Sequence, residues 1–85
     1  MEYVVVAFRS RAHTVKFHGF LSRNGILSEI VNTPKEAGVG CGLSVKISKD
    51  VFSVVKQAVR MANLNSFAGF FLVKIVAGTK LVKTI

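Results

Sequence analysis

The 85 residues, 12 of them Lys or Arg against 4 Asp or Glu, carry a formal net charge of +8 and supply material for one core, so a single domain over 1–85 is expected. With 51% hydrophobic and 19% charged residues, the composition excludes a disordered chain. The single cysteine excludes an internal disulfide and a thiolate metal cluster, and neither a metal nor a cofactor is expected.

Glu2 to Arg9, EYVVVAFR, is rich in β-branched and aromatic residues and nearly continuous in apolar ones, which predicts a central strand. Ser10 offers a helix N-cap. Over Arg11 to Asn24, Ala12, Val15, Gly19 and Phe20 fall at helical spacing, and Phe17 and Leu21 widen the stripe. Asn24-Gly25 is a helix stop. Ile26 to Thr33 reads as a second strand ended by Pro34, and Pro34 to Gly40 as a loop. Leu43 to Ser48 alternates Leu43, Val45 and Ile47 with Ser44, Lys46 and Ser48, which predicts a strand with one buried and one wet face. Ser48 or Asp50 caps a second helix over Val51 to Leu64, whose buried face is Val51, Val54, Val55, Ala58, Val59 and Ala62. Phe67 to Val76 is the last main strand, Ala77-Gly78-Thr79 a turn, and Leu81 to Ile85 an optional extra strand.

The order β-α-β-β-α-β predicts an α+β, ferredoxin-like two-layer sandwich with an optional C-terminal strand. Two helices cover one sheet face, and the other face is left to solvent or to an oligomer. Phe70 and Phe71 must point to opposite faces, so one of them is a candidate contact in a homodimer.

The same topology brings the start of helix one, the loop before strand three and the segment Asn63 to Gly69 to one edge of the sheet. Cys41 is expected there, beside a helix N-terminus and the cations Arg9, Arg11, His13 and Lys35. Gly38, Gly40 and Gly42 strip side chains from its surroundings and turn N–H groups toward an anion. This setting predicts a reactive thiol with a lowered pKa. The competing reading is a buried cysteine serving as a small hydrophobe. His18 lies elsewhere on the helix and reads as structural or solvent-facing.

No stretch reaches the roughly 20 apolar residues of a membrane span, since Phe67 to Ala77 is broken by Lys74. The start, Met1-Glu2-Tyr3-Val4, lacks the marks of a secretory signal, so a cytoplasmic, reducing setting is expected. The basic residues form no block and read as a like-charged surface open to acidic partners.

The segment Pro34-Lys35-Glu36-Ala37-Gly38-Val39-Gly40-Cys41-Gly42-Leu43-Ser44-Val45-Lys46 resembles the signature of the selenium/sulfur carrier-like family: proline and a basic residue, a small-residue loop, Cys-Gly, then alternating aliphatic and small residues and a basic one. Phe8 to Ile26 is similar to the family's strand-helix segment, with Ser10 at the cap and His13 at a frequent histidine. Phe67-Ala68-Gly69-Phe70-Phe71 is similar to its last strand. The resemblance spans Tyr3 to Val73. It departs at Val39 and Gly40, where more polar loop residues are usual, and after Val73. It implies a carrier holding sulfur or selenium on Cys41 as a persulfide or selenosulfide, with donor and acceptor proteins as partners and no turnover of its own. Gly40, Gly42, Ser10, Arg11, His13 and Lys35 are then the binding residues.

Two other classes compete. A noncatalytic ferredoxin-like module for an acidic partner or RNA fits the charge, but strand three lacks the aromatic residues of RNA-binding sheets, so nucleic acid is the weaker partner. A Cys-His nucleophilic enzyme needs an orienting carboxylate, and Glu36 is the one acid near the loop.

Overall fold

The computed structural model describes residues 1–40 and 42–85. The fold is α+β: five antiparallel strands in the order β2-β3-β1-β4-β5 carry two α-helices. β1 (Glu2–Phe8) is central, paired with β3 (Leu43–Ile47) on one side and β4 (Phe67–Val76) on the other. Val4 through Phe8 are all buried, as the unbroken apolar run requires of a strand covered on both faces.

α1 (Arg11–Arg23) begins where Ser10 Oγ accepts the His13 N–H at 3.3 Å. It ends in a Schellman motif. Gly25, at φ +72°, donates to Ser22 O and Ile26 donates to Leu21 O. Ile26 is thereby tied to the helix end and packs on the core, so β2 spans Glu29–Asn32 alone and starts later than the β-propensity of Ile26 suggests. The buried face of α1 is Thr14, Phe17 and Leu21, while Ala12 and Val15, expected inside, are exposed. The face turns because the Thr14 hydroxyl donates to Ser10 O at 3.3 Å and is matched with Leu43 O at 3.2 Å, which makes a threonine admissible in the core.

Ser48 caps a 3₁₀ turn (Lys49–Val51) rather than the helix itself, by accepting the Asp50 N–H at 3.2 Å. α2 (Phe52–Ala62) follows and buries Val55 and Ala58. Val51, Val59 and Ala62 pack against the core as expected, while Val54, at the margin of that stripe, is exposed. Asn63, at φ 51°, ends α2.

The helix-covered face holds Val4, Val6, Phe8, Phe17, Leu21, Val45, Ile47, Val55 and Ala58. An aromatic chain runs through its upper end, with ring centroids 5.2 Å apart for Phe8–Phe17, 5.9 Å for Phe8–Phe67 and 4.9 Å for Phe67–Phe70. Phe67 reaches this face through a β-bulge. Ala7 pairs with Gly69 but Phe8 pairs with Phe67, leaving Ala68 unpaired, and Gly69 takes φ +142°.

β5 (Thr79–Thr84) completes the sheet across a two-residue hairpin turn, Ala77 and Gly78, both at positive φ. It begins before the expected Leu81, because a turn this tight returns the chain at once.

The face away from the helices is closed by the chain itself. Val5, Ala7, Ser44, Phe71 and Val73 are buried on it. The chain after β2 makes a 3₁₀ turn (Lys35–Ala37) that lies in contact with β5, although β2 and β5 are opposite edges of the sheet. The segment therefore folds across this face, with Pro34 buried. Phe71 is only 6% exposed, so the aromatic expected at a homodimer contact is packed within the monomer. No helix among the described residues is long and apolar enough to cross a membrane.

Candidate functional site

The residues singled out by sequence gather in part. Three chain segments meet at the end of the sheet where β1 finishes and β3 and β4 begin. The segment Arg9 to Thr14 is tied to Ser66 by three bonds: Arg9 N–H to Ser66 O at 2.8 Å, Ser10 N–H to Ser66 Oγ at 3.2 Å, and His13 Nδ1 to Ser66 Oγ at 2.6 Å. Thr14 Oγ1 joins the same helical turn to the carbonyl of Leu43, the first residue of β3. The base of the loop before β3 is closed by Thr33 N–H donating to Gly42 O at 2.9 Å and by the pair Thr33 Oγ1 and Ser44 Oγ at 2.6 Å. The first turn of α1, the exit of α2 and the entry of β3 thus form one cross-linked edge.

Ser10 is the half-buried cap of this edge, and His13 is half-buried with its ring fixed. Arg9 and Arg11 are exposed, and neither joins an ion pair among the described residues. Lys35 is exposed on the turn that reaches β5, so it belongs to the far side of the loop and not to the Ser10–His13 cluster. Gly40 and Gly42 are exposed, and a methyl group added to either would meet no atom within 4 Å. Cys41, the expected nucleophile, lies outside the described residues, and with it the expectations of an exposed sulfur and a lowered thiol pKa. His18 sits apart, with Nδ1 2.7 Å from Ser28 Oγ.

Sequence reading missed Ser66, Thr14 and Thr33, which hold the edge together. Ser66 was placed on this edge as part of a turn. Its hydroxyl, one residue before a strand that opens beside a capped helix, was the available signal.

A cleft of about 430 Å³ lies at the opposite end of the sheet, lined among others by Met1, Tyr3, Leu27, Glu29 and Lys46. Two ion pairs lie at that end as well. Lys49 Nζ is 2.6 Å and Lys74 Nζ 3.4 Å from the carboxylate of Glu2. The Lys49 hydrogen bond, reinforced by Lys74, holds the Glu2 carboxyl below its ordinary value, and the same bond raises Lys49.

Comparison with known proteins places the chain in a family. No curated protein and no solved structure matches the chain. The family described as "Putative Se/S carrier protein-like" matches residues 3–67, from β1 through the entry of β4. The matched span takes in the cross-linked edge and ends at Phe67, so most of the aromatic-glycine strand that resembled the family falls beyond it. Residues 3–67 are well over half of the chain, and the chain belongs to this family of Se/S carrier-like proteins.

Proposed function

We propose that this chain carries sulfur or selenium on Cys41 between a donor and an acceptor protein. The observation that carries the reading is the family match over residues 3–67, which contains Cys41 and the Ser10–His13–Ser66 edge together. Leu43, two residues after Cys41 in the chain, is tied to the first turn of α1, the end of that helix whose free N–H groups favour negative charge. Arg11, His13 and the N–H groups of Gly40 and Gly42 supply donors or positive charge for a terminal anion, and Lys35 adds charge from the far side of the loop.

The step is an exchange at a single sulfur. The Cys41 thiolate attacks the outer sulfur of a persulfide on the donor. The new S–S bond takes the thiolate's electron pair, and the donor's inner sulfur leaves as a thiolate with the pair of the broken bond. Release repeats the step in reverse toward an acceptor thiolate. A selenium atom follows the same course as a selenosulfide. The chain has no net turnover and acts as a cytoplasmic, single-domain partner of the enzymes at either side. The first four strands and two helices are read as a ferredoxin-like unit with β5 added at its edge.

An RNA-binding module would use the open sheet face for stacking bases. Here that face carries buried Val5, Ala7 and Ser44 under the chain that follows β2, which favours the carrier reading over the binding module.

Incubation with a cysteine desulfurase and either cysteine or selenocysteine, so that the enzyme presents a persulfide or selenosulfide, followed by intact mass measurement, tests the proposal. One added chalcogen atom on the wild type and none on Cys41→Ser is expected. No addition to the wild type, or equal addition to both, overturns it.

A further inference from the structure

We infer that Ser66 is a positioning residue that fixes His13 in the tautomer bearing its hydrogen on Nε2, so that the histidine presents a directed N–H donor at the cross-linked edge. The argument counts hydrogens. Ser66 Oγ already accepts the Ser10 N–H at 3.2 Å. It lies 2.6 Å from His13 Nδ1, the other side-chain partner that Ser66 has among the described residues. If Nδ1 carried the ring hydrogen, Oγ would accept from two donors and its own hydrogen would have no protein acceptor among the described residues. With Nδ1 unprotonated, Oγ accepts one hydrogen and donates one, and every group in the chain Ser10 N–H, Ser66 O–H, His13 Nδ1 is satisfied.

The hydroxyl is itself held in place. The Ser66 carbonyl accepts the Arg9 N–H at 2.8 Å, and Ser10 Oγ accepts the His13 N–H at 3.3 Å. Backbone and side chain of Ser66 thus grip both sides of the α1 cap. The imidazole is fixed at Nδ1, and Nε2–H remains on the other side of the ring. A donor of this kind suits a soft terminal anion, sulfide or selenide, because it stabilises the charge without transferring a proton. This assignment of purpose rests on the carrier reading, whereas the tautomer does not.

Two measurements separate them. Nitrogen-15 NMR of the full chain, in buffer alkaline enough to keep both imidazoles neutral, reads the tautomer of each histidine. The expected wild-type spectrum shows His13 protonated at Nε2 and bare at Nδ1. Ser66→Ala, which keeps the Arg9–Ser66 backbone bond, should shift His13 toward a mixture, and Ser66→Thr, which keeps a hydroxyl, should restore it. His18, bonded at Nδ1 to Ser28, is the internal control and should not change. A wild-type His13 protonated at Nδ1, or one unmoved by Ser66→Ala, overturns the inference.

The second measurement is the rate at which a reducing thiol strips the chalcogen from the loaded protein. Ser66→Ala and His13→Gln should each speed the loss by about 3- to 10-fold, the range for one net hydrogen bond. In the double variant the effects should not add, because Ser66 acts through His13. Additive effects overturn the inference. A wild type that never loads overturns the carrier reading and leaves the NMR result to decide the tautomer.

Discussion

The two ends of the sheet are built from different chemistry. At the end where β1 finishes, hydroxyls, a histidine and backbone groups are joined by hydrogen bonds above a cluster of phenylalanines. At the end where β1 begins, two lysines straddle Glu2 beside a cleft of about 430 Å³. The ion pairs and this cleft, features that first draw attention on a surface, lie at the end away from the loop before β3. Of the positions expected to bind, Ser10 and His13 lie where polar groups are matched to one another, while Arg11, Lys35, Gly40 and Gly42 are exposed. Flexible surface ion pairs tolerate small shifts, whereas interlocked hydroxyls fix side-chain direction, which a transfer site requires.

This contrast can be broken from either end. The largest effect is expected from Phe8→Ala, since Phe8 is 1% exposed and links the rings of Phe17 and Phe67. A loss of about 3–5 kcal/mol is expected in urea denaturation; a loss below about 1 kcal/mol would mean the aromatic chain does not support the edge. Thr14→Val keeps the shape and removes the hydroxyl shared with Ser10 O and Leu43 O. It should cost about 1 kcal/mol, and amide exchange should rise at the helix start and at Leu43 together. Exchange rising at one of them alone would separate the two segments.

The smallest effect belongs to Glu2→Gln, at the ionic end. Because the folded Glu2 carboxyl titrates below its ordinary value of 4.5, its contribution is present above that value and disappears as pH falls through the lower, folded one. Lys49 is raised from 10.5, so its share is present below that value and lost as pH climbs through the raised one. The variant should therefore melt slightly lower than wild type at neutral pH, equal it in strong acid, and approach it in high salt. A difference that persists in acid would show that the glutamine acts through packing rather than charge.

Much of this organisation was legible in the residues and some was not. The central strand was clear because five consecutive buried positions leave no polar face to place. The first cap was clear because Ser10 precedes a helical stripe. The meeting of α1, the β3 entry and the α2 exit at one edge followed from element order alone. The buried face of α1 was misread because periodicity weighs Thr14 as polar, and its two backbone acceptors become visible only in three dimensions. The closed second face was misread for a similar reason. Alternation in β3 assigns Ser44 to solvent, but a partner hydroxyl on Thr33 and the passing chain make it an interior residue.

The bulge at Gly69 has a consequence for how β4 can evolve. A strand alternates sides with a strict period of 2, and one surplus residue inverts that alternation for everything upstream. Ala68 is that surplus, so Phe67 shares the helix-covered side with Phe70 and with its partner Phe8. With a regular ladder at unchanged length, Ala68 would stand opposite Phe8, Phe67 would turn to the other side, and Ser66 would fall one place out of step with His13. One small residue thus works as a spacer, keeping an aromatic anchor and a hydroxyl in phase across a junction that neither could set alone.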